Sequence, residues 1–365
     1  MKTKIFTVLI LAVSFITSCK DVEDITTNVN LPIATDNLLV LSEGSFNQSN
    51  STLAYYNLET KTSDNNYFQT KNGRGLGETA NDIVKYGSKI YIVINGSSQI
   101  EVINAKTGVS VKQIPMFNGT IGKQPRYVAA YGGKVYVSSY DDTVTRIDTT
   151  SLSIDGSVAV GRDPEQLCIT NNKIYVTNSG GMEYATGNYD NTVSIIDIAT
   201  FKRTGKITVG MNPTKIKADD NGNLFVLSKG NYVSEFAKFQ KIDTKTNTVK
   251  VIENVQVENF TIYENKIYLY QYNFFEDGSH ENIISVLDGA TGAFIDTNFI
   301  SDDTKFEKGS YLYSINIDAY AGDVYVTNTD YIENGNVYCF DKNGKFKYKI
   351  IGVGMNPNNI VFLGK

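Results

Sequence analysis

The chain has 365 residues, with 34 Lys and Arg against 39 Asp and Glu and a net charge of −5. No basic run stands out, so the electrostatic footprint of a nucleic-acid binder is missing. One histidine and three cysteines leave multi-histidine metal sites and histidine-activated nucleophiles without their parts, and a chain this long needs no disulfide framework.

Lys2 and Lys4 precede an apolar run over residues 5–16, too short to span a bilayer, which predicts a secretory signal over 1–18. The junction Ile16-Thr17-Ser18-Cys19 resembles a bacterial lipobox, which makes Cys19 the lipidation site; the alternative is an ordinary signal peptide with an incidental cysteine. Lys20-Asp21-Val22-Glu23-Asp24 resembles the acidic signal that follows the cysteine in outer-surface lipoproteins of Bacteroidetes; the alternative is a solvated tether. Residues 19–36 are polar and aperiodic, a flexible tether, and the domain proper is expected over 37–365.

From there the chain repeats. A short strand of the Lys-Ile-Tyr-Val type begins at Asn37, Lys89, Lys134, Lys173, Asn223, Lys266 and Asp323. After each comes an apolar strand ending in Asn57, Asn104, Asp148, Asp197, Asp243, Asp288 or Asp341, at intervals of 44 to 53 residues. A short polar side chain at a strand end bonds the backbone two residues on and starts a tight turn, so these seven residues are structural. One unit reads as strand a over 166–170, b over 173–178, c over 192–198 and d over 203–209, rich in Val, Ile and Tyr. No stretch sustains a helical period. Seven units of four strands predict an all-β fold, a seven-bladed β-propeller of antiparallel blades. The last segment, Gly354-Met355-Asn356-Pro357, is similar to Gly210-Met211-Asn212-Pro213, which opens a unit, whereas the first unit begins at its b strand. The C-terminal strand is therefore expected to pair with the N-terminal blade and close the ring. Cys168 and Cys339 lie in apolar strands and read as buried free thiols.

Tyr175-Val176-Thr177-Asn178 and Tyr325-Val326-Thr327-Asn328 resemble the signature of the YVTN-repeat, YncE-like propellers over nearly the whole mature chain. The strings over 42–53 and 72–78 resemble the first blade of the Bacteroidetes surface lipoproteins that include the BtuG family. That resemblance implies extracellular capture of a small-molecule ligand, cobalamin or another corrinoid, for a TonB-dependent outer-membrane transporter. It implies localisation at the cell surface, with the membrane reached through the lipid anchor.

Propeller geometry sends the b–c loops and d–a connections to one face. Length varies mostly in the b–c loops 43–51, 179–191, 228–239, 270–282 and 329–336, and such loops on a rigid scaffold are where binding is usually placed. They carry rings that offer large apolar contact with a polar tip. The expected ligand-binding residues are Phe46, Arg74, Tyr140, Arg162, Tyr184, Tyr189, Tyr232, Tyr272, Phe275 and Tyr331; the alternative for each is packing of loop on loop. No catalytic residue, metal or cofactor is expected, and the chain reads as a binder rather than an enzyme. The rival readings are a glycan- or protein-binding adhesion module and a propeller hydrolase or lyase. The lone His280 lies in a loop, Gly73-Arg74-Gly75-Leu76-Gly77 opens no helix, and Asp219-Asp220-Asn221-Gly222 reads as an a–b turn.

Overall fold

The computed structural model describes residues 34–364; the signal, Cys19 and nearly all of the tether lie outside the described residues. Seven four-stranded antiparallel sheets make up the domain. Blade 1 is built from Thr35–Ser42, Thr52–Asn57 and Ser63–Asp64, with Pro357–Gly364 as its strand a. Blades 2 to 7 follow in chain order, with their a strands at Ala80–Tyr86, Pro125–Tyr131, Pro164–Thr170, Pro213–Ala218, Asn259–Tyr263 and Tyr311–Ile317. Each a strand touches the a strands of the blades on both sides, and the circle of contacts is complete. The closing pair runs from Thr35 opposite Gly364 to Ser42 opposite Pro357, as the chain ends predict.

The b strands show why the repeat reads as a continuous apolar run. Each is covered by a blade on either side, so both faces are buried. In blade 2, Ile90, Ile92 and Ile94 pack toward blade 1, whereas Tyr91 and Val93 pack toward blade 3. The core is accordingly seven slabs, one between each pair of neighbouring blades. Tyr91, Tyr136, Tyr175 and Tyr325 occupy one repeat position and are fully buried.

The seven Asn/Asp markers make the expected turns: Asp148 Oδ1, for example, accepts the N–H groups of Thr150 and Ser151 at 3.0 and 2.7 Å. These bonds, after that from Lys134, hold the Asp148 carboxyl well below the usual carboxylate range. Cys168 and Cys339 are free thiols, half-buried and buried respectively.

Three features differ from the expectation. Residues 67–72 form a helix of six residues, too short to show a period; it buries Tyr67 and Phe68 and is closed by Gly73 at φ 66°. Residues 270–282 are largely strand, because blade 6 extends its b and c strands to Lys266–Phe274 and His280–Asp288, paired in register. The aromatic content of that stretch favours pairing over an open loop. The first strand begins at Thr35 rather than Asn37.

Candidate functional site

The b–c loops and d–a connections share one face, where they bond each other directly. Gly44 N–H donates to Met355 O, Gly180 to Arg162 O, and Gly230 to Met211 O, each at 3.0 Å. At the centre of this face lies a cavity of about 300 Å³ to which all seven blades contribute.

Its wall is set by a device repeated at the entry of the a strands. In six of the seven blades the pairing of a with b slips there: at Ala80/Asp82, Pro125/Val128, Pro164/Leu167, Pro213/Lys215, Leu312/Ser314 and opposite Leu41/Ser42. A bulge of this kind re-aims side chains. Just before it, Thr79, Gln124, Asp163, Asn212 and Asn356 all adopt positive φ, between 45° and 57°. The result is a belt of polar side chains at the mouth: Asn81 and Asp82, Arg126 and Tyr127, Glu165 and Gln166, Lys215, Asn259, Tyr313, and Asn358 and Asn359.

The belt is tied from blade to blade. Asn359 Nδ2 donates to Asp82 Oδ1 at 2.7 Å, and Asp82 Oδ2 accepts Val128 N–H at 2.9 Å, linking blades 1, 2 and 3. Arg126 Nε donates to Glu165 Oε2 at 3.0 Å and its Nη1 to Asn81 Oδ1, linking blade 3 to blades 4 and 2. Gln166 Oε1 accepts Ile216 N–H at 2.9 Å. Lys215 Nζ reaches Tyr127 Oη at 2.7 Å. Tyr313 Oη donates to Glu43, which also receives Asn358 Nδ2 at 3.1 Å. Burial pushes the Asp82 carboxyl up, against its N–H donors and Lys215.

Among the residues expected from the sequence, Tyr272 and Tyr331 line this cavity. Tyr272 Oη donates to Leu312 O at 2.5 Å, and its ring meets Tyr311 edge-on at 5.2 Å. Tyr140 stands behind the wall, with its hydroxyl on Glu165 Oε1 and its ring 4.8 Å under the Arg126 guanidinium. Burial and Glu165 hold its phenol far above the usual range, so it remains a donor. Tyr232 projects from the loop of blade 5, mostly exposed, beside the half-buried Tyr189. Phe46 and Tyr184 are exposed on their loops.

The others lie elsewhere. Arg74 turns outward, bonded to Glu101 at 2.9 Å and to Ser110, over the Phe68 ring at 4.9 Å; the short helix redirects the chain so that this side chain braces blade 2. The Arg162 main chain anchors the 179–190 loop. Phe275 lines a peripheral crevice of about 580 Å³ between blades 6 and 7, together with Phe306 and Tyr311. His280 is there too, its ring stacked on Tyr311 at 3.9 Å and its Nε2 on Ser310 O. That crevice is the larger, but it is built from two blades. The central cavity is the one to which every blade contributes a side chain, and its converging polar groups can fix the orientation of a ligand.

The belt residues are the functional candidates that loop-based reasoning missed. The signal was in the repeat: a proline or small residue, two residues rich in polar side chains, then an apolar one, as in Pro164-Glu165-Gln166-Leu167 and Pro357-Asn358-Asn359-Ile360.

No family model matches the chain, and no curated protein matches it. Solved structures do. Hydrazine synthase of Kuenenia stuttgartiensis aligns with a TM-score of 0.57 at 16% identity, over 72% of this chain and 77% of that one. U3-55K aligns at 0.52 and 10% identity, over 73% and 80%. The computationally designed Ika8 protein aligns at 0.51 and 12% identity, over 76% and 88%. At such identities the likeness is one of fold alone.

Proposed function

We propose that this chain is a cell-surface lipoprotein that binds a small polar nutrient in the central cavity and passes it to a TonB-dependent outer-membrane transporter. The observation that carries the reading is the convergence of polar side chains from all seven blades on one cavity beneath the Tyr272 and Tyr331 rings. The surface location and the transporter rest on the sequence around Cys19 and on the resemblance to the BtuG-type lipoproteins. Binding is favoured over catalysis because the acidic groups of the belt are engaged structurally: Glu165 by Arg126 and Tyr140, Asp82 by Val128 and Asn359, Glu43 by Tyr313.

Cobalamin is the ligand that the resemblance implies. A cavity of about 300 Å³ lies at the small end of ligand pockets, so the corrin ring would lie across the mouth on the tyrosine rim, with an amide or phosphate arm entering. The test is a melting curve with cyanocobalamin. A ligand at 100 times its Kd stabilises by about 2.7 kcal/mol, which raises the melting temperature by several degrees; Tyr331→Ala is expected to reduce that shift. An unchanged melting temperature at millimolar cyanocobalamin removes cobalamin as the ligand. The Asn, Gln and Tyr lining also suits sugar hydroxyls, so the glycan-binding reading keeps a specific observation in its favour.

A further inference from the structure

We propose that the inner part of the central cavity binds an oxyanion, a carboxylate or phosphate carried by a sugar-sized molecule, through Lys217 supported by Lys215. The inference rests on the cavity being the binding site and names the ligand chemistry.

Strand Pro213–Ala218 alternates its side chains. Ile216 packs into the slab between blades 4 and 5, while Lys215 and Lys217 line the cavity. Two residues along a strand span roughly 6.6 Å, so Lys217 lies one pleat deeper than the belt. At the equivalent repeat position the other blades carry Val84, Ala129, Cys168, Thr261, Asn316 and Val361. Lys217 is thus the one cation of that inner tier.

Its charge is not matched. Among the described residues Lys217 makes no ion pair and no hydrogen bond; its charged neighbours are Lys215 and Asp82. Lys215 is held by Tyr127, and Arg126 and Glu165 neutralise each other. Asp82 is one carboxylate set against two lysines, and its oxygens bond Val128 N–H and Asn359 rather than either ammonium. Glu43 and Glu258 belong to the mouth, engaged by Tyr313 and Lys229. Burial, then Lys215, pulls the Lys217 amine below the usual lysine range. A half-buried ammonium that lines a cavity and bonds no counter-ion is costly, and an oxyanion supplies both the missing charge and charge-assisted hydrogen bonds. Above it, Tyr127, Asn259 and Asn359 offer neutral hydrogen-bonding groups to the rest of the ligand.

The test is calorimetric titration of the purified full chain with D-glucuronate, D-glucose and inorganic phosphate, on wild type, Lys217→Met and Lys217→Arg. Glucuronate is expected to bind wild type at least tenfold more tightly than glucose does. That preference is expected to vanish in Lys217→Met and persist in Lys217→Arg. Phosphate binding that is likewise lost in Lys217→Met, without glucuronate binding, assigns the site to a phosphate ester. Lys217→Met is expected to melt at or above the wild-type temperature, since it removes an unpaired charge, so lost binding is not lost folding. Glucose binding equal to glucuronate binding, an unaltered preference in Lys217→Met, or no binding of either anion overturns the oxyanion assignment. In those cases binding of glucose or cyanocobalamin that is weakened by Tyr331→Ala leaves the cavity as the site, and its absence removes the capture reading as well.

Discussion

Truncation after Asn356 is expected to abolish the cooperative melting transition. The deletion removes strand a of blade 1, and with it seven backbone positions paired to Thr35–Ser42. It also removes Ile360 from the slab between blades 7 and 1 and Val361 from that between blades 1 and 2. Each such side chain contributes about 1.5–3 kcal/mol by burial. Asn358 and Asn359 leave as well, and with them the bonds to Ala80 O, Asn81 O and Asp82. Together these losses rival a total stability of about 5–15 kcal/mol. The exposed edge of Thr35–Ser42 becomes a template for aggregation. Circular dichroism melting and light scattering read both effects. A synthetic peptide covering residues 355–365, added in trans, is expected to restore the transition. A truncated chain that melts as the full one does would show that the ring is not held by this strand.

Arg126→Ala is expected to cost about 3–5 kcal/mol, the usual penalty for leaving a buried partner charge uncompensated. Glu165, nearly enclosed, loses its bidentate partner, and Tyr140 and Tyr127 lose the cation over their rings. The loss is expected to lower the urea midpoint with an unchanged slope. Arg126→Met combined with Glu165→Gln is expected to recover part of it, because the stranded charge is gone. If Arg126→Ala unfolds at the wild-type midpoint, the cavity wall is solvated and the belt does not hold the blades together.

The two expectations rest on different degrees of legibility. Ring closure is written in the chain: Pro357-Asn358-Asn359-Ile360 has the form of a strand-a opening, and the first unit lacks one. The blade boundaries are equally plain, since b strands such as Lys173–Asn178 carry an apolar run that only two-sided burial explains. The site was less visible. Loop length and aromatic content drew attention to Phe46, Tyr184 and Phe275, which the structure leaves exposed or at the periphery. Tyr272 and Tyr331 reach the cavity because the extended hairpin of blade 6 and the loop of blade 7 lean over it. The belt depends on a bulge, which sets side-chain direction and has no composition of its own. Its trace is the run of polar residues after Pro125, Pro164, Pro213 and Pro357, four of the six prolines in the chain. Arg74 could not be placed without the short helix that turns it outward.

The most direct test of the cavity as the binding site is a crystal structure of the protein soaked with whichever of cyanocobalamin, D-glucuronate or phosphate raises its melting temperature most. The account predicts ligand density inside the ring of a strands, within hydrogen-bond reach of Lys215 or Lys217 and in contact with Tyr272 or Tyr331. Density confined to the crevice beside Phe306, or to the opposite face at the a–b turns, would contradict it.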